Sequence, residues 1–465
     1  MSQLLKNISY TSIGQFLNMI FAFILLPLAA RYLGDEGFGK YSLASTLMFF
    51  VMLFSDLGLE TLMTREFARK KKIAPKLISF AMGAKIGLLP FAITVMFLYL
   101  LFTSHDVETK QVILIFIGVG ALGSFSQVML SVFRGFEKMQ YEASSNLFEK
   151  ALLVVLSLFV FLNGFGVRTF ATAFLIAAFI KMLLVVFLIS QKFFKFKISF
   201  SLPKNVLLLR SSLFFGISVF LAMSYNRIDI IMLSSMKTMQ EVAWYSAAYR
   251  LLNLTYIISS VLVTSFLPQL SQAVHEKQLL SSLFFKGVKL IALIAIPMVP
   301  FIYLLAREIV LVLFGSEYLG SIIAIRILVF AAFAQMFNSF FVGIFIATKK
   351  QNVITFLQII ALIINVGLNL ILIPKYTYMG AAFTTIITEF FLLVAISYYT
   401  VKNLLIFSNK SVFFVLKVVG ITCLSAAIIL ASSIVHMNMY LSTFTACIIY
   451  LFLIYKLGLY KVLTV

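Results

Sequence analysis

Residues 205–233 read NVLLLRSSLFFGISVFLAMSYNRIDIIML, residues 234–243 form a polar break, SSMKTMQEVA, and residues 244–269 resume as WYSAAYRLLNLTYIISSVLVTSFLPQ. Each flanking run is long and apolar enough to cross a ~30 Å hydrocarbon core as a helix, yet each carries an arginine. Arg227 lies about seven residues before the break and Arg250 about nine residues after Glu241, so at ~1.5 Å per residue both sit roughly 10 to 13 Å from one membrane face. An arginine at that depth costs about 2.5 to 3.5 kcal/mol on insertion scales, so such residues usually face a protein interior or a wet cavity and mark a function. Asp229 does not obviously cancel Arg227, because helix residues two apart point in different directions.

The rest of the chain has the same character. Of 465 residues 62% are hydrophobic and 11% charged, whereas a soluble globule has about 25% charged. Repeated apolar runs of about twenty residues with short polar breaks fit membrane-spanning helices and not barrel strands. The net charge of +21 invites a nucleic-acid reading, but the positive residues flank apolar runs, as membrane topology requires. Cys423 and Cys447 fall within apolar runs, and His105, His275 and His436 are far apart in breaks. No disulfide framework, metal centre or cofactor is legible. Lys6 precedes an apolar stretch too long for a signal-peptide core, so that stretch is read as the first helix.

Counting apolar runs bounded by charge, Gly or Pro predicts an all-α, polytopic bundle of about fourteen spans. With an even number, both termini lie on one side. The breaks on that side hold twenty Lys and Arg residues against seven on the other, with ten inside spans, which places the termini in the cytoplasm. The chain also repeats itself. Gly39-Lys40-Tyr41-Ser42-Leu43-Ala44 is echoed by Ala243-Trp244-Tyr245-Ser246-Ala247-Ala248, and Phe133, Lys138 and Thr172 are echoed by Phe345, Lys350 and Thr384. Similar offsets predict two pseudo-repeated six-helix lobes, 1–204 and 205–405, followed by two C-terminal helices in 406–465.

The buried charge is biased. Lys85, Arg210, Lys286, Lys289, Arg326 and Lys417 can snorkel toward an interface. Lys150, Lys181, Arg227 and Arg250 lie deeper and are the candidate ligands for an anionic substrate. Asp56, Asp229 and Glu389 are the candidate ion-coupling or structural carboxylates. The plainer readings are an ion pair of Arg250 with Asp229, local pairing of Lys150 beside Glu149, and a snorkelled Lys181.

Several stretches resemble the polysaccharide flippases of the multidrug, oligosaccharidyl-lipid and polysaccharide exporter superfamily. They are Arg31-Tyr32-Leu33-Gly34 with Gly37 to Ser42, Asp56-Leu57-Gly58-Leu59 with Arg65-Glu66, Arg227-Ile228-Asp229, and Tyr245-Ser246-Ala247-Ala248-Tyr249-Arg250. Phe314-Gly315-Ser316-Glu317-Tyr318 and Ile373-Pro374-Lys375-Tyr376 with Gly380-Ala381-Ala382 complete the set. The resemblance runs to about residue 400 and departs from it at Ser235, Ala243 and Thr377, where members often carry Gly. It implies movement of a polyprenyl-pyrophosphate-linked glycan across the bacterial inner membrane for O-antigen or capsule assembly, through a cationic cavity between two lobes. Membrane lipids, a polysaccharide polymerase and chain-length machinery would be its partners.

A multidrug antiporter of the same superfamily would need carboxylates for cationic drugs and usually has twelve spans. A lipid II flippase shares the span number and the arginines. A membrane-embedded polymerase or ligase would need a long loop with catalytic groups, and Glu308 and Glu317 in the 306–320 break have no evident partner for acid-base work.

Overall fold

The longest helix runs 54 residues, from Gln3 to Asp56, which at ~1.5 Å per residue is more than twice the thickness of a hydrocarbon core. It therefore has to break. The structure, a computed structural model, describes residues 3–404, 409–434 and 439–459. Its helices are α1 (Gln3–Asp56), α2 (Leu59–Arg69), α3 (Ala74–Phe102), α4 (Val107–Gly135), α5 (Met139–Leu162), α6 (Val167–Lys192) and α7 (Leu202–Met236). They continue with α8 (Met239–Gln272), α9 (Lys277–Leu304), α10 (Ala306–Leu313), α11 (Ser321–Ala347), α12 (Gln351–Asn403), α13 (Asn409–Ile434) and α14 (Met439–Lys456). No strand occurs among the described residues.

Among the described residues nine helices are long and apolar enough to cross a membrane, or ten when α7, bent by 49° between Ile217 and Val219, is included. Shorter apolar stretches run through 413–427 and 445–456. Large apolar side chains such as Leu101, Val155, Phe187 and Phe356 stay exposed along these helices, as lipid contact demands and water would penalise. The chain is a multi-pass membrane protein.

α1 breaks at Gly34, with φ 69 and ψ 178, and α12 at Thr377, with φ 54 and ψ −139. Glycine reaches positive φ without a steric penalty, but a β-branched residue there is strained. Of the three positions where the resemblance expects Gly, only Thr377 has positive φ; Ser235 and Ala243 do not. The departure from the family pattern therefore costs conformational energy at one site alone.

The chain divides into two compact units between Ala243 and Trp244. In the first, α1 packs on α3, α4, α5 and α7, and α4 packs on α6. In the second, α11 packs on α9 and α12, and α13 on α9 and α14. The repeat appears as matching chemistry within each unit. Between α4 and α5, the Lys138 amide donates to Phe133 O at 2.8 Å and the Glu137 amide to Arg134 O at 3.0 Å, with Glu137 at φ 59. Between α11 and α12, the Lys350 amide donates to Phe345 O at 2.8 Å and the Lys349 amide to Ile346 O at 3.1 Å, with Lys349 at φ 58. Two turns 212 residues apart satisfy the same orphan helix-end carbonyls with the same left-handed residue.

The other echo is also structural. Lys40 sits 2.7 Å from Glu108, 2.9 Å from Glu36 and 3.3 Å from Asp106, so it ties α1 to the start of α4. Its counterpart Trp244 donates its indole N–H to Glu317 O at 3.1 Å and stacks so closely on Gly320 that a Cβ there would lie 2.4 Å from the ring. The next residue in each echo, Tyr41 or Tyr245, is buried. Tyr245 OH meets Thr385 Oγ1 at 3.1 Å. One unit joins these elements by charge and the other by an indole.

Thr377→Gly should raise the thermal midpoint of the purified protein, relieving strain of about 1 kcal/mol. The same change at Ala243, which lies in plain helix, should lower it by a comparable amount.

Candidate functional site

In hydrocarbon an ionised side chain must be paired or reach water, and the first unit contains five such groups near the break between α1 and α2. Leu57, φ 44, and Gly58, φ 85, turn the chain sharply after α1. A Cβ on Gly58 would lie 2.5 Å from Gly216 N, and one on Gly216 would lie 2.7 Å from Leu57 C. The α1–α2 break thus rests backbone to backbone on α7, next to the bend of α7 itself. Asp56, the last residue of α1, accepts the Glu60 amide at 3.3 Å through both carboxylate oxygens, at the N-terminal end of α2, where the helix dipole favours negative charge.

Asp56 also holds Lys85 of α3, with Nζ to Oδ1 at 2.6 Å, and the same ammonium donates to Ser124 Oγ of α4 at 2.6 Å. Lys85 is 1% exposed. The snorkelled position expected from the sequence is therefore corrected: a carboxylate and a hydroxyl inside the unit replace the water that Lys85 would otherwise seek. One helical turn from Asp56, Glu60 pairs with Arg134 Nη1. Arg134 Nε lies 3.0 Å from both carboxylate oxygens of Glu142, and Nη2 lies 2.7 Å from Glu142 Oε1 and 3.1 Å from Gln127 Oε1.

A cavity of about 190 Å³ opens beside these pairs, lined by Asp56, Glu60, Ser124 and Gln127 and by an apolar wall that includes Phe49 of α1 and Met223 of α7. Arg227, one turn beyond Met223, lays its guanidinium 3.8 Å from the centre of the Phe49 ring. That cation–π contact holds the guanidinium against a residue that lines the cavity. Of the sequence candidates, Asp56 lines this cavity, and Arg227 stacks on Phe49, another of its lining residues.

The other candidates are dispersed. Asp229 is buried near the end of α7. Lys181 is not alone: it is buried on α6 and pairs with Glu149 of α5 at 2.8 Å, so the sequence neighbour Lys150 does not take that carboxylate. Lys150 is half-buried. In the second unit Arg250 is half-buried on α8. Glu389 is 3% exposed on α12, where Asn338 Nδ2 of α11 donates to its Oε2 at 2.8 Å and to its backbone oxygen at 2.9 Å. Outside the spans, Asp106 beside Lys40 titrates below its ordinary range. Partial burial pushes it up, but the Thr109 hydroxyl and the Lys40 ammonium outweigh that.

Sequence reasoning missed Arg134, Gln127 and Ser124, because Arg134, just past the fourth apolar run, reads as an interfacial cation and the other two carry no charge. The available signal was Glu60, a carboxylate one turn from Asp56 that needed a cation at its depth.

Lys85→Ala should destabilise the protein by about 3 to 5 kcal/mol, by leaving Asp56 unpaired in a low-dielectric site. The double change Lys85→Met with Asp56→Leu should recover most of the loss in a thermal unfolding measurement.

Comparison with known proteins agrees with this architecture. A family model described as polysaccharide biosynthesis protein matches residues 4–274, and a second, MatE, matches residues 215–371. An uncharacterized membrane protein of Methanocaldococcus jannaschii is 26% identical over 299 residues, 61% of this chain and 58% of that protein. A protein of Haloferax volcanii named as a probable low-salt glycan biosynthesis flippase is 27% identical over 166 residues, 35% of this chain and 34% of its own length. The matched regions thus span less than two thirds of these relatives. Among solved structures, the lipid II flippase MurJ in an inward closed conformation shares the fold, with a TM-score of 0.78 and 15% identity over 98% of this chain and 100% of that one. With a family model covering more than half its length, the chain belongs to the polysaccharide biosynthesis protein family.

Proposed function

We propose that this protein is a flippase that moves polyprenyl-pyrophosphate-linked oligosaccharides across the bacterial inner membrane, from the cytoplasmic to the periplasmic leaflet, for O-antigen or capsule assembly. The observation that carries the reading is Arg227, a guanidinium inside a membrane-spanning unit stacked on Phe49, which lines a cavity, in a polysaccharide biosynthesis family member. A pyrophosphate is costly in hydrocarbon, and guanidinium groups offset its lost hydration with bidentate, charge-assisted hydrogen bonds. Arg250 and, less directly, Lys150 and Lys181 are the further cations we assign to substrate. The lysine bias of the breaks supports cytoplasmic termini. Counting α1 and α12 as two spans each, with α13 and α14, supports fourteen.

Movement then follows alternating access, in which rocking lobes pass the head group across while the polyprenyl tail stays in lipid. Glu389, buried on α12, is the carboxylate we assign to ion coupling, with Asp56 and Asp229 as structural alternatives. The second reading is multidrug extrusion, favoured by the MatE match over residues 215–371 and disfavoured by the excess of intramembrane cations, which repel cationic drugs.

Expression in a flippase-null strain should restore surface polymer. Arg227→Ala and Arg250→Ala should each abolish it at normal membrane levels, and Arg→Lys should restore it in part, because an ammonium lacks the planar fork. If Arg250→Ala lowers protein level and adding Asp229→Ala recovers both level and export, Arg250 is an ion-pair partner and not a ligand. Glu389→Gln should remove dependence on the pH gradient while leaving the protein in the membrane. Unchanged dependence removes Glu389 from the mechanism.

A further inference from the structure

A dense group of cations lies where three connectors of the first unit meet. Phe136, between α4 and α5, packs on Phe193 and Phe194 of the α6–α7 connector with ring centroids 5.3 and 6.0 Å apart. Lys71 of the α2–α3 connector lays its ammonium 5.8 Å from the centre of the same ring. The α6–α7 connector is also tied to α3: the Ser199 amide donates to Ser79 O at 3.1 Å, and the Lys204 ammonium lies 4.8 Å from the centre of the Phe80 ring. A Cβ on Gly83 would lie 2.2 Å from Ser199 O, so glycine is what lets the connector rest this close.

That anchoring gives the connector two sides. Phe193, Phe194 and Phe196 pack into the core of the unit, whereas Lys195, Lys197, Ile198 and Phe200 are exposed. Beside them the α2–α3 connector exposes Lys70, Lys71, Lys72 and Ile73. Carboxylates are scarce here. Residues 192–204 contain none, and Glu66, the only one in residues 65–76, lies 3.0 Å from Arg65 and 3.7 Å from Arg69.

Two features exceed what membrane topology requires, which is positive charge near the spans and no more. Large apolar side chains stand among the lysines: Phe200 is 66% exposed and Leu202 79%, a placement that water penalises. Leu202 opens an exposed apolar face of α7 that continues through Val206, Leu213 and Phe214, positions that fall on one side of a helix with about 3.6 residues per turn. The backbone is the second feature. The amides of Lys195, Lys197 and Ile198 have no backbone acceptor among the described residues, so they need polar partners from outside.

Lysines and amides suited to phosphate, set among apolar side chains suited to acyl chains, match the interface of a charged leaflet. A soluble acidic partner would answer the lysines but would leave Phe200 and Leu202 in water. We propose that the α2–α3 and α6–α7 connectors form a docking platform for acidic phospholipid headgroups of the leaflet they face, with Lys70, Lys71, Lys72, Lys195 and Lys197 on the phosphates and Phe200 and Leu202 inserted beside the acyl chains. The platform goes beyond the transport reading. It requires no glycan, and it makes the seating of α3 and α7 depend on the charge of the membrane.

The test uses the full-length protein in phosphatidylcholine nanodiscs, carrying Cys423→Ala and Cys447→Ala and a fluorophore on the Ser201→Cys variant, since the Ser201 side chain makes no cap hydrogen bond to α7. The probes are phosphatidylglycerol and phosphatidylcholine, each bearing a nitroxide on the acyl chain near the headgroup, and quenching reports which lipid gathers at the connector. Phosphatidylglycerol should be enriched about fivefold or more, the equivalent of one lysine at a charged surface, and the ratio should fall toward one as sodium chloride is raised. Changing the five named lysines to Gln should also bring it to one, whereas changing them to Arg should preserve it. The salt titration keeps the test decisive where the Gln variant fails to insert. Equal quenching by the two lipids with all lysines present, or an enrichment that neither salt nor the Gln changes reduce, overturns the platform. So does enrichment of nitroxide-labelled undecaprenyl phosphate without enrichment of phosphatidylglycerol, which would give the lysines to a polyprenyl lipid instead.

Discussion

Lys85 places its ammonium 2.6 Å from a carboxylate that closes one helix and sits at the N-terminal end of the next. In water such a pair would contribute little. Inside a membrane-spanning unit, removal of either partner strands a charge at a cost of several kcal/mol, so the pair fixes where α1 ends, where α2 begins and how α3 is set against both. The second pair, Glu60 with Arg134, extends the constraint to α4, and Glu142 extends it to α5. The cavity exists because these ion pairs hold its polar wall while α1 and α7, the latter brought close by Gly58 and Gly216, supply the apolar one. Arg227 is positioned by the same arrangement, since it follows Met223 on α7 and rests on Phe49 of α1.

The helical class, the membrane setting and the repeat were legible in the sequence because each depends on composition or on local pattern. Gly39-Lys40-Tyr41-Ser42 and Ala243-Trp244-Tyr245-Ser246 match as strings, and the structure shows what the match preserves: a buried tyrosine, and before it a long side chain that reaches the connector ahead of α4 or α11. The equivalence of Lys40 and Trp244 is not visible in residue type, since one uses carboxylates and the other a backbone oxygen. The turns after Phe133 and Phe345 were found through two aromatic residues and two lysines. Their shared left-handed residues, Glu137 and Lys349, are unlike each other and carry no pattern.

The site was harder to read, for a physical reason. Depth along a helix follows from counting residues, but direction around it and distance between helices do not. Lys85 lies close enough to a span end to look like a snorkelling residue, and only the position of Asp56, 29 residues away, shows that it points inward. Lys181 looked solitary because its partner Glu149 is on the preceding helix. Glu149 looked paired with Lys150 because adjacency in sequence suggests it, although adjacent helix residues diverge. The cost of burying Asp56 and Arg227 points to both from sequence; Asp56 lines the cavity, and Arg227, 171 positions away, stacks on Phe49, which lines it too.

The central claim is that the protein carries a lipid-linked sugar from one leaflet to the other. It is tested most directly by reconstituting the purified protein in liposomes with an undecaprenyl-pyrophosphate-linked oligosaccharide confined to the inner leaflet, and following its appearance outside with a membrane-impermeant glycan-modifying enzyme. The account predicts that the sugar becomes accessible within minutes in vesicles containing the protein and stays protected in protein-free vesicles. Equal protection in both, with the protein folded and inserted, would contradict it.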